Sequence, residues 1–128
     1  MPRKVLIAED QPDLSQLLVD IVGRLRPYGV ETVTARNGTE ALDLARKEHP
    51  SLVLLDMMMP GMNGLEVCRQ IKTDPDLKSM RVIMVSARVQ PEDRVQAAEA
   101  GADEYLTKPF DINAMLERVQ MALGVTLI

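Results

Sequence analysis

Short apolar runs alternate with longer stretches of helical period along the chain. The runs are Val5-Leu6-Ile7-Ala8, Thr32-Val33-Thr34-Ala35, Leu52-Val53-Leu54-Leu55, Val82-Ile83-Met84-Val85 and Tyr105-Leu106-Thr107. Their Val and Ile content, mostly without polar alternation, suits strands buried on both faces. The first, third and fourth are the most apolar and belong at the centre of a sheet. The second alternates more and belongs at an edge. Between the runs, Leu14, Leu17, Leu18, Ile21, Val22 and Leu25 form an amphipathic stripe, and Ile112, Met115, Leu116, Val119 and Leu123 form another behind Asp111, a natural N-cap. Ala41, Leu42 and Ala45 mark a second helix, and Leu65, Cys68 and Ile71 a third. The fourth, Glu92 to Ala100, is the weakest, with Val95 and alanines carrying its apolar face and Gly101 as its stop.

This (βα)5 order implies a parallel sheet covered by helices on both faces. A five-stranded doubly wound sheet takes the order 2-1-3-4-5, and its chemistry sits at the carboxyl ends of the strands near the reversal of order. Those ends carry Glu9-Asp10, Asp56, Ser86 and Thr107-Lys108-Pro109. Taken singly, a Glu-Asp pair after a strand ordinarily caps the next helix, and Lys-Pro is ordinarily a turn. Their coincidence on one rim is what argues for function. Three carboxylates and one ammonium leave two net negative charges, so either one acid stays protonated or a cation sits among them. A hard divalent ion, Mg2+ for preference, suits oxygen donors.

Composition narrows the field. The chain has 128 residues, 46% hydrophobic and 27% charged, which is the balance of one globular domain. Its net charge of −4 argues against broad binding to nucleic acid or anionic membranes, and three aromatic residues make no base-stacking platform. The single Cys68 excludes an internal disulfide, and with one His it excludes a zinc cluster. Met1 to Ala8 is too short for a signal peptide, and no run of about 18 apolar residues is present to span a membrane. A cytoplasmic location is expected.

An aspartate beside a divalent ion, with an ammonium and a hydroxyl in reach, can attack a phosphoryl group and become an aspartyl phosphate. Asp56 is the best nucleophile because it ends a wholly apolar strand at the middle of the rim. Glu9 and Asp10 are then metal ligands, and Lys108 and Ser86 pair with phosphoryl oxygens. No general base is needed, since a carboxylate is already ionised at pH 7.

These residues carry a resemblance. Glu9-Asp10, Asp56 within Asp56-Met57-Met58-Met59-Pro60-Gly61-Met62-Asn63-Gly64, Ser86-Ala87 and Lys108-Pro109-Phe110 resemble the motifs of response-regulator receiver domains of bacterial two-component signalling, over about Lys4 to Leu123. The resemblance implies a flavodoxin-like fold and a single receiver domain over residues 1–128 with its core at about 4–123, similar to chemotaxis-type single-domain receivers. It implies that Asp56 takes a phosphoryl group from the phosphohistidine of a sensor histidine kinase or histidine phosphotransfer protein. It also implies self-catalysed phosphorylation and dephosphorylation rather than metabolic turnover. Mg2+, or Mn2+ in its place, would be held by Asp10 and Asp56 directly, Glu9 through water, and the Met58 carbonyl. Ser86 stands at the switch hydroxyl and Tyr105 at the switch aromatic. Met58 and Arg88 stand at positions that tune phosphoryl lifetime, and Lys108-Pro109 at a cis peptide. The output would pass through the face of the fourth helix, fifth strand and fifth helix to a downstream effector, from a monomer or weak dimer. Glu9 for Asp and Ser86 for Thr are small departures.

Other readings use the same sheet. An amino-terminal receiver of a longer regulator, with a transcriptional or enzymatic output, is the alternative to a stand-alone receiver; the short apolar tail Gly124 to Ile128 favours the latter. A flavin or nucleotide binder would need a Gly/Ser/Thr-rich loop where Glu9-Asp10-Gln11-Pro12-Asp13 stands. A phosphatase would need a second acid where Met58 stands. His49 reads as a solvated loop residue, Cys68 as a small core residue, Tyr28 as packing, and Met57, Met58, Met59 and Met62 as packing and loop structure rather than soft-metal ligands.

Overall fold

The computed structural model describes residues 3–125. β1 (Arg3–Ala8) leads to α1 (Pro12–Gly23), and a 3-10 turn at Arg26–Tyr28 carries the chain into β2 (Val30–Ala35). There follow α2 (Gly38–Glu48), β3 (Leu52–Asp56), α3 (Gly64–Thr73), β4 (Arg81–Ser86), α4 (Pro91–Glu99), β5 (Glu104–Thr107) and α5 (Ile112–Leu123). The strands form one parallel sheet in the order β2-β1-β3-β4-β5, as the pattern predicts, with the alternating strand β2 at an edge. Among the described residues no helix is long and apolar enough to cross a membrane. Residues 126–128 of the expected tail lie outside the described part.

Successive strand residues point to opposite faces, so each central strand feeds two cores. Leu6, Val53, Leu55, Val82 and Met84 pack under α2, α3 and α4 against Leu42, Val67, Cys68, Ile71 and Ala97. Val5, Ile7, Leu54, Ile83 and Val85 pack under α1 and α5 against Leu18, Ile21, Val22, Met115 and Val119. The helices start where the sequence supplies caps: the Asn37, Asn63 and Asp111 side chains accept the amide hydrogens of Glu40, Glu66 and Ala114, and Pro12 and Pro91 open α1 and α4.

Two stripes differ from expectation. Leu25 is buried but lies beyond the end of α1, in the turn before Pro27. In α4 the inward residues are Asp93 and Ala97, with Ala100 just beyond, whereas Val95 is 53% exposed. The assignment of Val95 to the apolar face is therefore wrong. The buried positions are spaced i, i+4, i+7 from Asp93, and an acid in that stripe hides it from a hydrophobic pattern.

A glycine sets the loop after β3. A Cβ on Gly64 would collide with the Asp56 carbonyl oxygen and the Met57 Cα, and the Gly64 amide donates to the Met57 carbonyl at 3.0 Å. The start of α3 thereby lies directly against the end of β3. At the opposite end of the sheet, the Lys72 ammonium donates to the Met80 carbonyl at 2.6 Å and to Asp103 Oδ2 at 2.9 Å, and that oxygen also accepts the Val82 amide at 2.8 Å. This joins α3, β4 and the turn before β5. Cys68 is buried as expected, its Sγ donating to the Ala100 carbonyl at 3.4 Å, and burial pushes its thiol pKa up to about 11.

Burial alone would raise the pKa of Asp103, but the Val82 amide and the Lys72 ammonium outweigh it and hold the carboxyl below its ordinary value. A depressed carboxyl contributes stability that is complete above the unfolded value and is lost as pH falls through the folded one. Asp103→Ala is expected to lower unfolding free energy by about 1–2 kcal/mol at pH 7. Urea unfolding at pH 7, 5 and 3 should show the gap to wild type narrowing below about pH 4.

Candidate functional site

The sheet order reverses at β1, whose neighbours β2 and β3 connect on opposite sides and leave a crevice at the carboxyl ends. Glu9 and Asp10 follow β1, Asp56 ends β3, Ser86 ends β4 and Lys108 follows β5. Glu9 and Asp56 are 2% and 5% exposed, unusual values for ionised groups. The Lys108 ammonium accounts for them: it lies 2.8 Å from Glu9 Oε1 and 3.2 Å from Asp56 Oδ2. The second oxygens are met by backbone, Glu9 Oε2 by the Gln11 amide at 3.1 Å and Asp56 Oδ1 by the Met58 amide at 3.0 Å. The Lys108-Pro109 peptide is cis, as the resemblance implies.

Electrostatics are unbalanced. Burial pushes the Glu9 carboxyl above its ordinary value and the Asp56 charge adds to this, with Lys108 and the Gln11 amide only partly offsetting them. Burial works to lower the Lys108 pKa, but the hydrogen bond to Glu9 and the two carboxylate charges prevail and raise it. Lys108 is therefore a fixed cation. Glu9, Asp10 and Asp56 each place a carboxylate oxygen within 4.8 Å of the others, so one ammonium faces three acids. This all-oxygen set with two surplus negative charges fits a hard divalent cation.

Ser86 is fully buried beside this cluster, its carbonyl accepting the Lys108 amide at 2.8 Å and its Oγ accepting the Arg88 amide at 3.1 Å. The Tyr105 hydroxyl donates to the Arg88 carbonyl at 2.7 Å, and Arg94 lies 4.9 Å over its ring. The aromatic is thus already tied to the loop after β4. Met58 and Arg88 touch, with Arg88 Nε 3.2 Å from Met58 Sδ. Asp10, Met58, Arg88, Asn63 and Gln96 line a cleft of about 510 Å3 that opens beside the acids.

The structure separates the methionines: Met57 and Met59 are buried, but Met58 is 53% exposed and does not pack as expected. Tyr28, at 42% exposure, also packs less than expected. His49 is exposed in a left-handed turn after α2, away from the rim. Asp93, buried at 5% and 3.6 Å from the Arg88 guanidinium, was not anticipated. Its one sequence signal is its place in the first turn after Pro91, where its carboxylate accepts the Gln90 amide at 3.2 Å.

Sheet order and rim together define a doubly wound α/β domain built around a carboxylate–lysine crevice. The family model described as response regulator receiver domain matches residues 5–120, and the chain belongs to that family. It is 37% identical over 123 residues to the DNA-binding response regulator MtrA of Mycolicibacterium smegmatis, covering 96% of this chain and 51% of that protein. It is 36% identical over 124 residues to the polar-differentiation response regulator DivK of Brucella anthropi, covering 97% of this chain and 98% of that one. The chain thus spans about half the length of the first relative and nearly all of the second. The crystal structure of the signal receiver domain of a DNA-binding response regulator from Colwellia psychrerythraea superposes with a TM-score of 0.88 at 26% identity, covering 95% of this chain and 98% of that one. Receivers are signalling modules of two-component systems rather than metabolic enzymes.

Lys108 holds two buried carboxylates, so Lys108→Met should destabilise the protein by about 2–4 kcal/mol at pH 7, near the lower end for breaking a buried pair. Urea unfolding measures this. Added Mg2+ should restore more stability to the variant than it adds to wild type, because a cation among the acids replaces the lost charge.

Proposed function

We propose that this receiver is a phosphoacceptor in which Asp56 is the nucleophile. The observation that carries the reading is the placement of Asp56: a nearly buried carboxylate, paired with Lys108, with Glu9 and Asp10 beside it. An Asp56 oxygen attacks the phosphorus of a phosphohistidine on a sensor kinase or phosphotransfer protein. The P–N bond breaks as the acyl phosphate P–O bond forms, and the imidazole leaves with the bonding pair. Asp10 and Asp56, with Glu9 through water and the Met58 carbonyl, would hold Mg2+, which when bound would supply the positive charge that lets a phosphoryl group approach an acidic crevice. Lys108 neutralises phosphoryl oxygens from the side of β5, and the Ser86 hydroxyl donates to another. Later attack by water returns the carboxylate, so the domain catalyses only its own loading and unloading.

Loading replaces the single charge of the Asp56 carboxylate with the roughly 1.5–2 negative charges of a phosphoryl group, a net gain of about 0.5–1 at the rim. Ser86 Oγ then swings toward the phosphoryl group, giving up the Arg88 amide, and vacates space into which Tyr105 turns. The shift alters the α4-β5-α5 face, which binds the downstream effector. We take residues 1–128 as one receiver with its core at about 4–123, working in the cytoplasm, and assign the tuning of phosphoryl lifetime to Met58 and Arg88.

Incubation with Mg2+ and acetyl phosphate should give a retarded band on a phosphate-affinity gel for wild type and none for Asp56→Ala. Equal retardation of both removes Asp56 from its role. Ser86→Ala should cost only about 1 kcal/mol of stability, yet cut the beryllofluoride-induced amide shifts of α4 and β5 in NMR spectra to less than half. Full wild-type shifts in that variant would sink the switch assignment.

A further inference from the structure

Arg88, two residues beyond β4, is tied to four parts of the rim. Its amide donates to Ser86 Oγ at 3.1 Å and its carbonyl accepts the Tyr105 hydroxyl at 2.7 Å. Its guanidinium places Nε 3.2 Å from Met58 Sδ and Nη1 3.6 Å from Asp93 Oδ1. Met58 in turn donates its amide to Asp56. One residue therefore stands between the acceptor aspartate, the switch hydroxyl, the aromatic of β5 and the first turn of α4.

The two guanidinium contacts are weak for Arg88 and important for Asp93. A thioether is a poor acceptor, and a 3.6 Å pair whose arginine side chain is 50% exposed exchanges readily. Asp93, by contrast, has a side chain only 7% exposed, and its other partner is the Gln90 amide. A buried carboxylate that loses its cation is left at a cost the fold must relieve. Phosphoryl oxygens bind a guanidinium through two parallel hydrogen bonds and carry more charge than either present partner. They would arise beside the cleft that Arg88 shares with Asp10 and Met58.

We propose that Arg88 is a positioning residue that relays the state of Asp56 to α4 by exchanging the buried Asp93 for the phosphoryl oxygens. The inference rests on the phosphoacceptor reading above. Departure of the guanidinium leaves Asp93 uncompensated, and the first turn of α4 rearranges to rehydrate it. That helix buries only Asp93 and Ala97 along its length, so little packing opposes the movement.

The test uses Mg2+ with beryllofluoride, 19F NMR to count filled sites, and backbone amide shifts of Val95, Ala97 and Ala98. In wild type, filling the site moves these amides. In Arg88→Ala and Arg88→Gln the site still fills, but the α4 amides move by less than half as much, and Arg88→Lys recovers most of the shift. Asp93→Asn, which keeps an acceptor for the Gln90 amide but carries no charge to rehydrate, leaves the α4 amides near their resting positions, and filling its site moves them by less than half as much as in wild type. A full α4 shift in Arg88→Ala at equal 19F occupancy overturns the relay. So does a full α4 shift in Asp93→Asn at equal 19F occupancy. A wild-type protein with no bound 19F signal overturns the phosphoacceptor reading itself, and the relay with it.

Discussion

The rest of the structure is arranged around one ammonium. Lys108 sits between Glu9 and Asp56, which arrive from different strands, and it is the cation that allows two nearly buried carboxylates to stand side by side. At an effective dielectric of about 20, like charges within 4.8 Å repel by about 3–4 kcal/mol. No isolated strand or helix would hold such a cluster. The sheet does so because β1, β3 and β4 are locked by apolar side chains on both faces, and β5 is registered against β4 from Ile83 to Ser86. The hydrophobic cores thus supply the rigidity that keeps unfavourable charges together, and Lys108 relieves only part of the strain. The remainder is what gives the crevice its affinity for positive charge.

Stiffness is unevenly distributed over the molecule. At the end of the sheet away from the crevice, the Lys72–Asp103 pair and its backbone hydrogen bonds clamp α3 to β4 and the turn before β5. The start of α3 is pinned by the fit of Gly64 against the end of β3. α4 is attached more lightly: Arg94 lies over the Tyr105 ring, but alanine contributes little buried area and the helix's largest inward side chain is an acid. α3, by contrast, is held by the buried Val67, Cys68 and Ile71.

Much of this was legible in the sequence. Strand order, the central position of β3 and the convergence of Glu9, Asp10, Asp56, Ser86 and Lys108 follow from apolar runs ending abruptly in polar residues. The inward face of α4 did not follow, because periodicity assumes that buried means apolar, and Asp93 breaks that assumption. Leu25 lay on the extrapolated stripe of α1 and is buried, but by a turn rather than a helix. The ties of Arg88 were invisible for another reason. Two of the four run through its backbone amide and carbonyl, which every residue possesses, so side-chain chemistry carries no trace of them.

The misread stripe also carries a stability cost. Turning Val95 outward places an apolar side chain on the surface, where Val89, 62% exposed, also lies. Turning it inward and Asp93 outward would bury more apolar area and stabilise the helix, at roughly 25 cal/mol for each Å2 removed from water. The observed arrangement forgoes that gain. It keeps apolar surface available on α4 and leaves a buried acid whose cation is a half-exposed arginine 3.6 Å away. A helix that is suboptimal in isolation is, under the relay proposed above, one whose position an added charge at the neighbouring rim would reset.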